Sequence, residues 1–219
     1  MQDLISVIIP AYNGGKYISE TIESIQNQDF PHEIIVVDDI STDNTVQIAR
    51  EMDCRVIVNK VHKGQVAGKN TGIREAKGNY WLTIDQDDCL TEGALRRLYD
   101  EMQKSSENKI IMAQLKDFCS PDTPEQQKYV KLRPFWGILT GSTLFKKDVF
   151  EIIGDFREDI ITGDVIDLTT RLNKVGLQIK KVDFVSCNRR IHSANFGRTN
   201  QKDEYKDYAK VLRERLLQK

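Results

Sequence analysis

Only three histidines, four cysteines and five prolines are spread over the 219 residues, and each scarcity removes a class of chemistry. Cys54, Cys89, Cys119 and Cys187 stand far apart with no C-x-x-C pair, so their spacing offers neither a zinc knuckle nor a redox dithiol. Reduced, cytosolic thiols are the expectation. His32, His62 and His192 sit in no nucleophile motif, which leaves no Ser-His-Asp or Cys-His arrangement to read. Neither sign of charge dominates, since 32 basic and 33 acidic side chains give a formal charge of -1. No overall field therefore draws the chain onto nucleic acid or an anionic membrane, and any anion site is local. No apolar run approaches the roughly 20 residues of a spanning helix, and Met1 to Leu4 lack the basic start of a signal peptide. A cytoplasmic protein is expected. Phosphate-loop motifs fail as well. Gly15-Lys16 would need glycine where Pro10 stands and Ser or Thr where Tyr17 stands, and no G-x-G-x-x-G follows the first apolar run.

What is present is an alternation. The β-branched run Ile5 to Ile9 ends at Pro10, and Tyr17, Ile18, Thr21, Ile22 and Ile25 then recur at helical spacing. Ile34 to Val37 reads as a buried strand, Ser41 or Thr42 as a cap for a helix carrying Val46, Ala49 and Met52, and Arg55 to Val58 as another strand. A helix from about Gly68 to Ala76, a strand from Tyr80 to Ile84 and a helix bearing Ala94, Leu95, Leu98 and Met102 complete the pattern. Strands alternating with helices predict an α/β fold with a mostly parallel central sheet and right-handed crossovers. The second half is less regular. It is read as a strand Ile110 to Leu115, a loop Ser120 to Pro134, helices Lys147 to Ile153 and Val165 to Val175, a strand Ile179 to Val185 and a last helix Asp203 to Leu217. That helix sets Tyr205, Tyr208, Ala209, Leu212 and Leu216 on one face. Docking onto the domain is the first expectation for it, and peripheral attachment to a membrane, aided by Lys206, Lys210, Arg213 and Arg215, is the alternative. Length favours one domain over residues 1–219.

In an open parallel sheet ligands bind beyond the carboxyl ends of the strands, and here those positions are acidic. Asp38 and Asp39 follow the second expected strand, and Asp85, Asp87 and Asp88 follow the fourth, as Ile84-Asp85-Gln86-Asp87-Asp88. Five carboxylates at one edge repel one another unless a cation offsets them. The D-x-D spacing suits Mg²⁺ or Mn²⁺, which take one or two carboxylates and fill the remaining positions with water and phosphate oxygens. A carboxylate opening a helix is also a common cap, a plain alternative for Asp39 or Asp88 taken singly.

Ser6-Val7-Ile8-Ile9-Pro10-Ala11-Tyr12-Asn13, Val36-Val37-Asp38-Asp39-Ile40-Ser41-Thr42-Asp43 and the Asp85 to Asp88 block resemble, in order and spacing, the family 2 glycosyltransferases. Gly68-Lys69-Asn70-Thr71-Gly72 and Gly154-Asp155-Phe156-Arg157-Glu158 look like further segments of that family, so the resemblance spans nearly the whole chain. It implies a Rossmann-like GT-A fold, with residues 1–115 holding the nucleotide sugar and residues 116–219 the acceptor. It implies a nucleoside diphosphate sugar, expected to be a UDP-sugar, as donor, and a hydroxyl of a glycan or lipid-linked saccharide as acceptor, with a divalent metal and inversion. Pro10, Ala11, Tyr12, Asn13, Asp38, Asp39, Lys69, Asn70, Asp85, Gln86 and His192 would surround the nucleotide sugar, with Asp39 on the base and Asp85 on the ribose. Asp87 would bind the metal, joined by His192 from Asn188-Arg189-Arg190-Ile191-His192.

Four positions depart from the family pattern. Ile40 replaces a glycine, Lys69 an arginine and Asp155 a glycine, and the second member of the family's Glu-Asp pair, the expected base, falls on Val165. Asp164, one residue earlier at a helix start that favours the ionised form, is the expected general base, with Asp167 on the same face as fallback. A domain that holds the nucleotide sugar without transferring it is the alternative reading. Metal-dependent phosphoryl transfer would need an in-line nucleophile or phosphate clamp that the sequence does not display.

Overall fold

The computed structural model describes residues 3–138, 141–160, 163–195, 206, 207, 209–211, 213 and 214. Strand β1 (Ile5–Ala11) is buried along its whole length, as a β-branched run covered on both faces must be. It lies between β2 (His32–Asp38) and β4 (Tyr80–Thr83), parallel to both, and β3 (Arg55–Val58) extends the parallel order beyond β2. Helices α1 (Ile18–Gln26), α2 (Thr45–Glu51) and α3 (Gln65–Glu75) connect these strands. Alternate residues of β1 point to opposite faces. Val7 and Ile9 join Ile18 and Ile22 of α1 and Leu95 and Leu98 of α4 (Ala94–Gln103) in one core layer. Ile8 joins Val66 and Ile73 of α3 in the other, together with Trp81 and Phe145. Helix α3 packs hard against β1, for a Cβ on Gly72 would stand 2.2 Å from Ile8 Cγ2. That close approach carries Lys69 and Asn70, on the same helix, into the interior.

Beyond β4 the sheet becomes mixed. Strand β5 (Cys89–Leu90) forms the far edge, next to β9 (Lys180–Ile191), which runs parallel to β6 (Ile110–Cys119). Strand β7 (Phe135–Trp136) pairs antiparallel with β6, and β8 (Thr143–Lys146) joins β6 to β4, antiparallel to both. One nine-stranded sheet, in the order β3-β2-β1-β4-β8-β6-β9-β5 with β7 off the path, thus crosses both halves of the chain. Helices α5 (Lys147–Ile153) and α6 (Asp164–Lys174) pack Val149, Leu168 and Leu172 into the second core layer, and Gly176 ends α6 at φ 73°.

Several elements differ from expectation. Ser41 and Thr42 cap no helix, because Asp38 and Asn13 engage them and α2 begins only at Thr45. The expected loop 120–134 contains a 3-10 turn, Pro124–Tyr129. Strands β6 and β9 run further than their apolar stretches, in parallel register from Leu115 and Cys187 to Cys119 and Ile191, with an ion pair between buried Asp117 and Arg189 added across them. In the last helix the described residues turn Asp207 and Val211 inward and leave Ala209 exposed, which differs from the expectation for Ala209. The reason is local: Gly163 leaves room for Asp207, while Arg157 pairs with Glu214 and Lys210 with Asp159. Those contacts dock the helix, and Tyr205, Tyr208, Leu212 and Leu216 lie outside the described residues.

Candidate active site

The chain leaves β1 at Ala11 and turns through Tyr12, Asn13, Gly14 and Gly15, and every amide of that turn is held by a side chain from elsewhere. Tyr12 N–H donates to Gln86 Oε1 and Gln86 Nε2 donates back to the Tyr12 carbonyl, both at 3.0 Å, so the Gln86 amide imitates a strand partner. Asn13 N–H donates to Ser41 Oγ, Gly14 N–H to Thr45 Oγ1 and Gly15 N–H to Asp43 Oδ2. The turn after β1 is thereby locked to the turn after β2 and to the Asp85 to Asp88 loop. Pro10 and Ala11 themselves lie within β1.

After β2 the two aspartates diverge in use. Asp38 folds back on its own turn and accepts from Ser41 N–H at 3.0 Å and from Ser41 Oγ. Asp39 is buried and accepts from Asn59 Nδ2 at 2.9 Å and from the Lys63 and Gly64 amides, with His62 Nδ1 2.9 Å away. Burial pushes the Asp39 carboxyl up, but hydrogen bonds from Asn59, Lys63 and Gly64 and the nearby His62 outweigh it and hold it below its ordinary value. The His62 ring also rests against Tyr12, at 4.9 Å between centroids. Between these groups Ile40 takes φ 67°, the left-handed region in which a β-branched residue is a strained outlier.

After β4 come the three carboxylates. Asp85, Asp87 and Asp88 each offer an oxygen within 4.8 Å of the others. Asp88 opens no helix, since β5 follows it. Its Oδ1 accepts from Arg190 N–H at 2.9 Å, while Oδ2 is buried with no hydrogen-bond partner. Burial, then the charges of Asp87 and Asp85, raise the Asp88 carboxyl well above its ordinary value. Asp85 accepts from Gln65 Nε2 at 2.6 Å. Burial pushes Asp85 up to about 6, with Lys69 opposing and Asp87 and Asp164 adding to the rise. A bound cation would offset a buried acceptor oxygen without a donor in a cluster of like charges, and hard oxygen ligands suit Mg²⁺ or Mn²⁺. The residues present fit such an ion.

Strand β9 brings the late basic segment to the same edge. His192, buried just past its end, sets Nε2 2.7 Å from Asp87 Oδ2, and Ala194 N–H faces its Nδ1 at 3.3 Å. The Tyr17 ring packs on His192, at 4.7 Å between centroids. The two residues expected to share a metal are therefore in contact. Arg190 spans the loop, with Nε donating to the Asp87 carbonyl at 2.9 Å and its guanidinium pairing with Glu20 of α1.

On the opposite wall Lys69 Nζ lies 2.6 Å from Asp164 Oδ2, both side chains being buried. Burial favours the neutral amine, but the charges of Asp164 and Asp85 overcome it and raise the Lys69 ammonium above its usual value. Asp164, the first residue of α6, thus stands across Lys69 from the carboxylate cluster. Asp167 is drawn away instead, paired with Arg171 at 2.7 Å. Asn70 also faces inward: its amide holds the Phe156 backbone from both sides, at 2.8 and 2.9 Å, and reaches Glu158.

Sequence reasoning passed over Gln65, Arg190 and Glu20. Gln65 precedes a helix expected to start at Gly68, so nothing in the pattern aimed it at Asp85. Arg190 was visible within the basic segment, but its partner Glu20 lies on a helix 170 residues earlier.

Residues 6–157 match glycosyl transferase family 2, and the chain belongs to that family. The glycosyltransferase GlyG of Streptococcus pneumoniae serotype 4 is 41% identical over 117 residues, covering 51% of this chain and 39% of GlyG. Two solved structures share the GT-A fold. The crystal structure of Staphylococcus aureus TarS 1-349 in complex with UDP-GlcNAc superposes with a TM-score of 0.70 at 21% identity, covering 96% of this chain and 65% of that one. The mannosyltransferase PcManGT from Pyrobaculum calidifontis, in complex with GDP-Man and Mn²⁺, superposes with a TM-score of 0.73 at 18% identity, covering 97% and 65%. This chain spans less than half the length of GlyG and about two thirds of each of these structures.

Proposed function

We propose that the chain transfers a sugar from a nucleoside diphosphate sugar, UDP-linked in the first instance, to a hydroxyl of a glycan or lipid-linked saccharide, with inversion. The observation that carries this reading is the Asp85, Asp87 and Asp88 cluster with its orphaned Asp88 oxygen, set beside the locked turn at Tyr12. Membership of the family and the UDP-GlcNAc and GDP-Man complexes of its fold relatives support the donor class. Asp87, Asp88 and His192 would hold a divalent cation, which supplies positive charge to a departing diphosphate. Tyr12, His62 and Asp39 frame the end of the site that takes the base, and Asp85 the ribose. Gln86 and Asn70 serve as scaffold, because their amides are spent on the backbones of Tyr12 and Phe156. Asp164 removes the acceptor proton, and Lys69 fixes its position.

A second reading, donor binding without transfer, is favoured by one observation: Asp164 is tied to Lys69 in a buried ion pair, while the family resemblance sets Val165 at the position of the base. Release of UDP from a panel of UDP-sugars, with and without oligosaccharide acceptors, separates the two. Transfer is expected in the wild type, and Asp164→Asn should lower kcat roughly a hundredfold or more with donor affinity little changed. A wild type that binds UDP and transfers to no acceptor would establish the binding reading. Near-normal turnover of Asp164→Asn would move the base elsewhere.

A further inference from the structure

Residues 128–136 read Lys-Tyr-Val-Lys-Leu-Arg-Pro-Phe-Trp, three cations and no acid in a chain whose formal charge is -1. This is a local concentration of positive charge, and it coincides with Leu132, the most exposed large apolar side chain of the described residues, flanked by exposed Tyr129 and Trp136. Leu132 is 87% exposed, Tyr129 50% and Trp136 44%. Lys128, Lys131 and Arg133 are exposed among them. Two of these cations lie over aromatic faces, Lys128 Nζ 5.1 Å from the Tyr129 centroid and Lys131 Nζ 3.9 Å from that of Phe135, and Lys181 Nζ stands 5.4 Å from Trp136. The segment is also held firmly. The 3-10 turn Pro124–Tyr129 leads into it, Lys131 N–H donates to buried Asp117 at 3.0 Å, and Phe135 and Trp136 pair with Leu115 and Gln114. Leu132 is thus presented between two fixed points.

We infer that residues 128–136 dock the protein on an anionic lipid bilayer. An aliphatic side chain at the tip, aromatics that suit headgroup depth and cations reaching back to lipid phosphates make up the composition of an interfacial anchor. Anionic headgroups complement the three cations. A single-stranded nucleic acid would use the aromatics and cations but would leave Leu132, the most exposed of the group, with nothing to do. The inference deepens the proposed transfer by naming where a lipid-linked acceptor is met. A groove of about 610 Å³ runs from Trp136 past Thr169 and Asn173 of α6 to Val165, the neighbour of Asp164. A saccharide borne on a lipid at the surface would have that path to the site.

The chain carries its own reporter. Of its two tryptophans, Trp81 is buried and stacked on Phe145 at 4.0 Å between centroids, so a change in emission on docking reports Trp136. The full chain is mixed with vesicles of phosphatidylcholine alone or of phosphatidylcholine with phosphatidylglycerol, in the absence of donor and acceptor, so the outcome is independent of the transfer reading. A blue shift and co-sedimentation are expected with the anionic vesicles and not with the neutral ones, weakening as salt rises. Leu132→Asp, and separately the pair Lys131→Glu and Arg133→Glu, should each lower partitioning about tenfold or more at unchanged Tm. Equal binding to neutral vesicles, no binding to anionic ones, undiminished binding of both variants, or displacement of the protein from vesicles by polyuridylate would each overturn the inference.

Discussion

Lys69 and Asp164, 95 positions apart in the chain, meet as a buried ion pair at 2.6 Å, so the N-terminal end of α6 is fixed to α3, the helix that packs against β1. Removing one member of a buried pair strands the other as an uncompensated charge, whereas replacing both with apolar residues is often tolerated. Lys69→Met is therefore expected to lower the unfolding free energy by about 3 kcal/mol or more, and Lys69→Met with Asp164→Leu to recover much of it. Urea denaturation of the single and double variants measures the coupling. A loss under about 1 kcal/mol in the single variant would mean that water reaches the pair.

UDP with Mn²⁺ should raise Tm, because a ligand bound only by the native state stabilises it by mass action. The metal-dependent part of that rise is expected to vanish in Asp87→Ala, which removes the carboxylate in contact with His192. Thermal scans with UDP, with and without Mn²⁺, decide the point. A rise of the same size in the variant with metal present would remove Asp87 from the cation site.

For Asp39 the sign of the pH effect follows from its depressed carboxyl. A folded value below the unfolded one, about 3.9 for Asp, gives stability that is present above the unfolded value and lost as pH falls through the folded one. Asp39→Asn should therefore flatten the acid limb of the Tm profile below about pH 4 and weaken UDP binding, while metal binding is retained. An unchanged acid limb would show that Asp39 gains nothing from Asn59, Lys63 and Gly64. Loss of metal binding as well would show that the variant disturbs the whole edge.

Ile40 offers a gain. At φ 67° a β-branched residue pays for a conformation that glycine adopts freely. Relief of that strain outweighs the added freedom of the unfolded chain, so Ile40→Gly is expected to stabilise the protein by about 1 kcal/mol, read as a higher urea midpoint at unchanged slope. A lower midpoint would mean that the exposed Ile40 side chain has a packing role.

Much of the first half of the chain was legible because its signals are local. Strand β1, helix α1 and the pair Asp38 and Asp39 announce themselves within ten residues, and parallel order then brings the ends of β1, β2 and β4 to one edge. The second half hides its order in pairings. Strand β8 is four residues long, β5 and β7 are two each, and each exists because a neighbour is there to hydrogen-bond it. The polar ends of β6 and β9 carry no strand signal of their own until Asp117 and Arg189 are seen to face one another. The same holds in the site. The D-x-D spacing marked Asp85 and Asp87 as a candidate pair, but that Gln86 would brace Tyr12, or that Lys69 would face Asp164, depends on distant segments that no local window contains.

Strand β9 enters the sheet between β6 and β5, far in sequence from both. During synthesis the parallel block β3-β2-β1-β4 can form early, yet Asp88 has no amide to receive until Arg190 has emerged, and Asp87 lacks His192 until two residues later. A nascent chain thus has its acidic loop braced by Tyr12 and Gln65 but not yet by Arg190 or His192. The last long strand works as a closing key: a ribosome-bound fragment ending before β9 lacks both the Arg190 amide on Asp88 and the His192 ring on Asp87, and the acidic loop gains them late and nearly together.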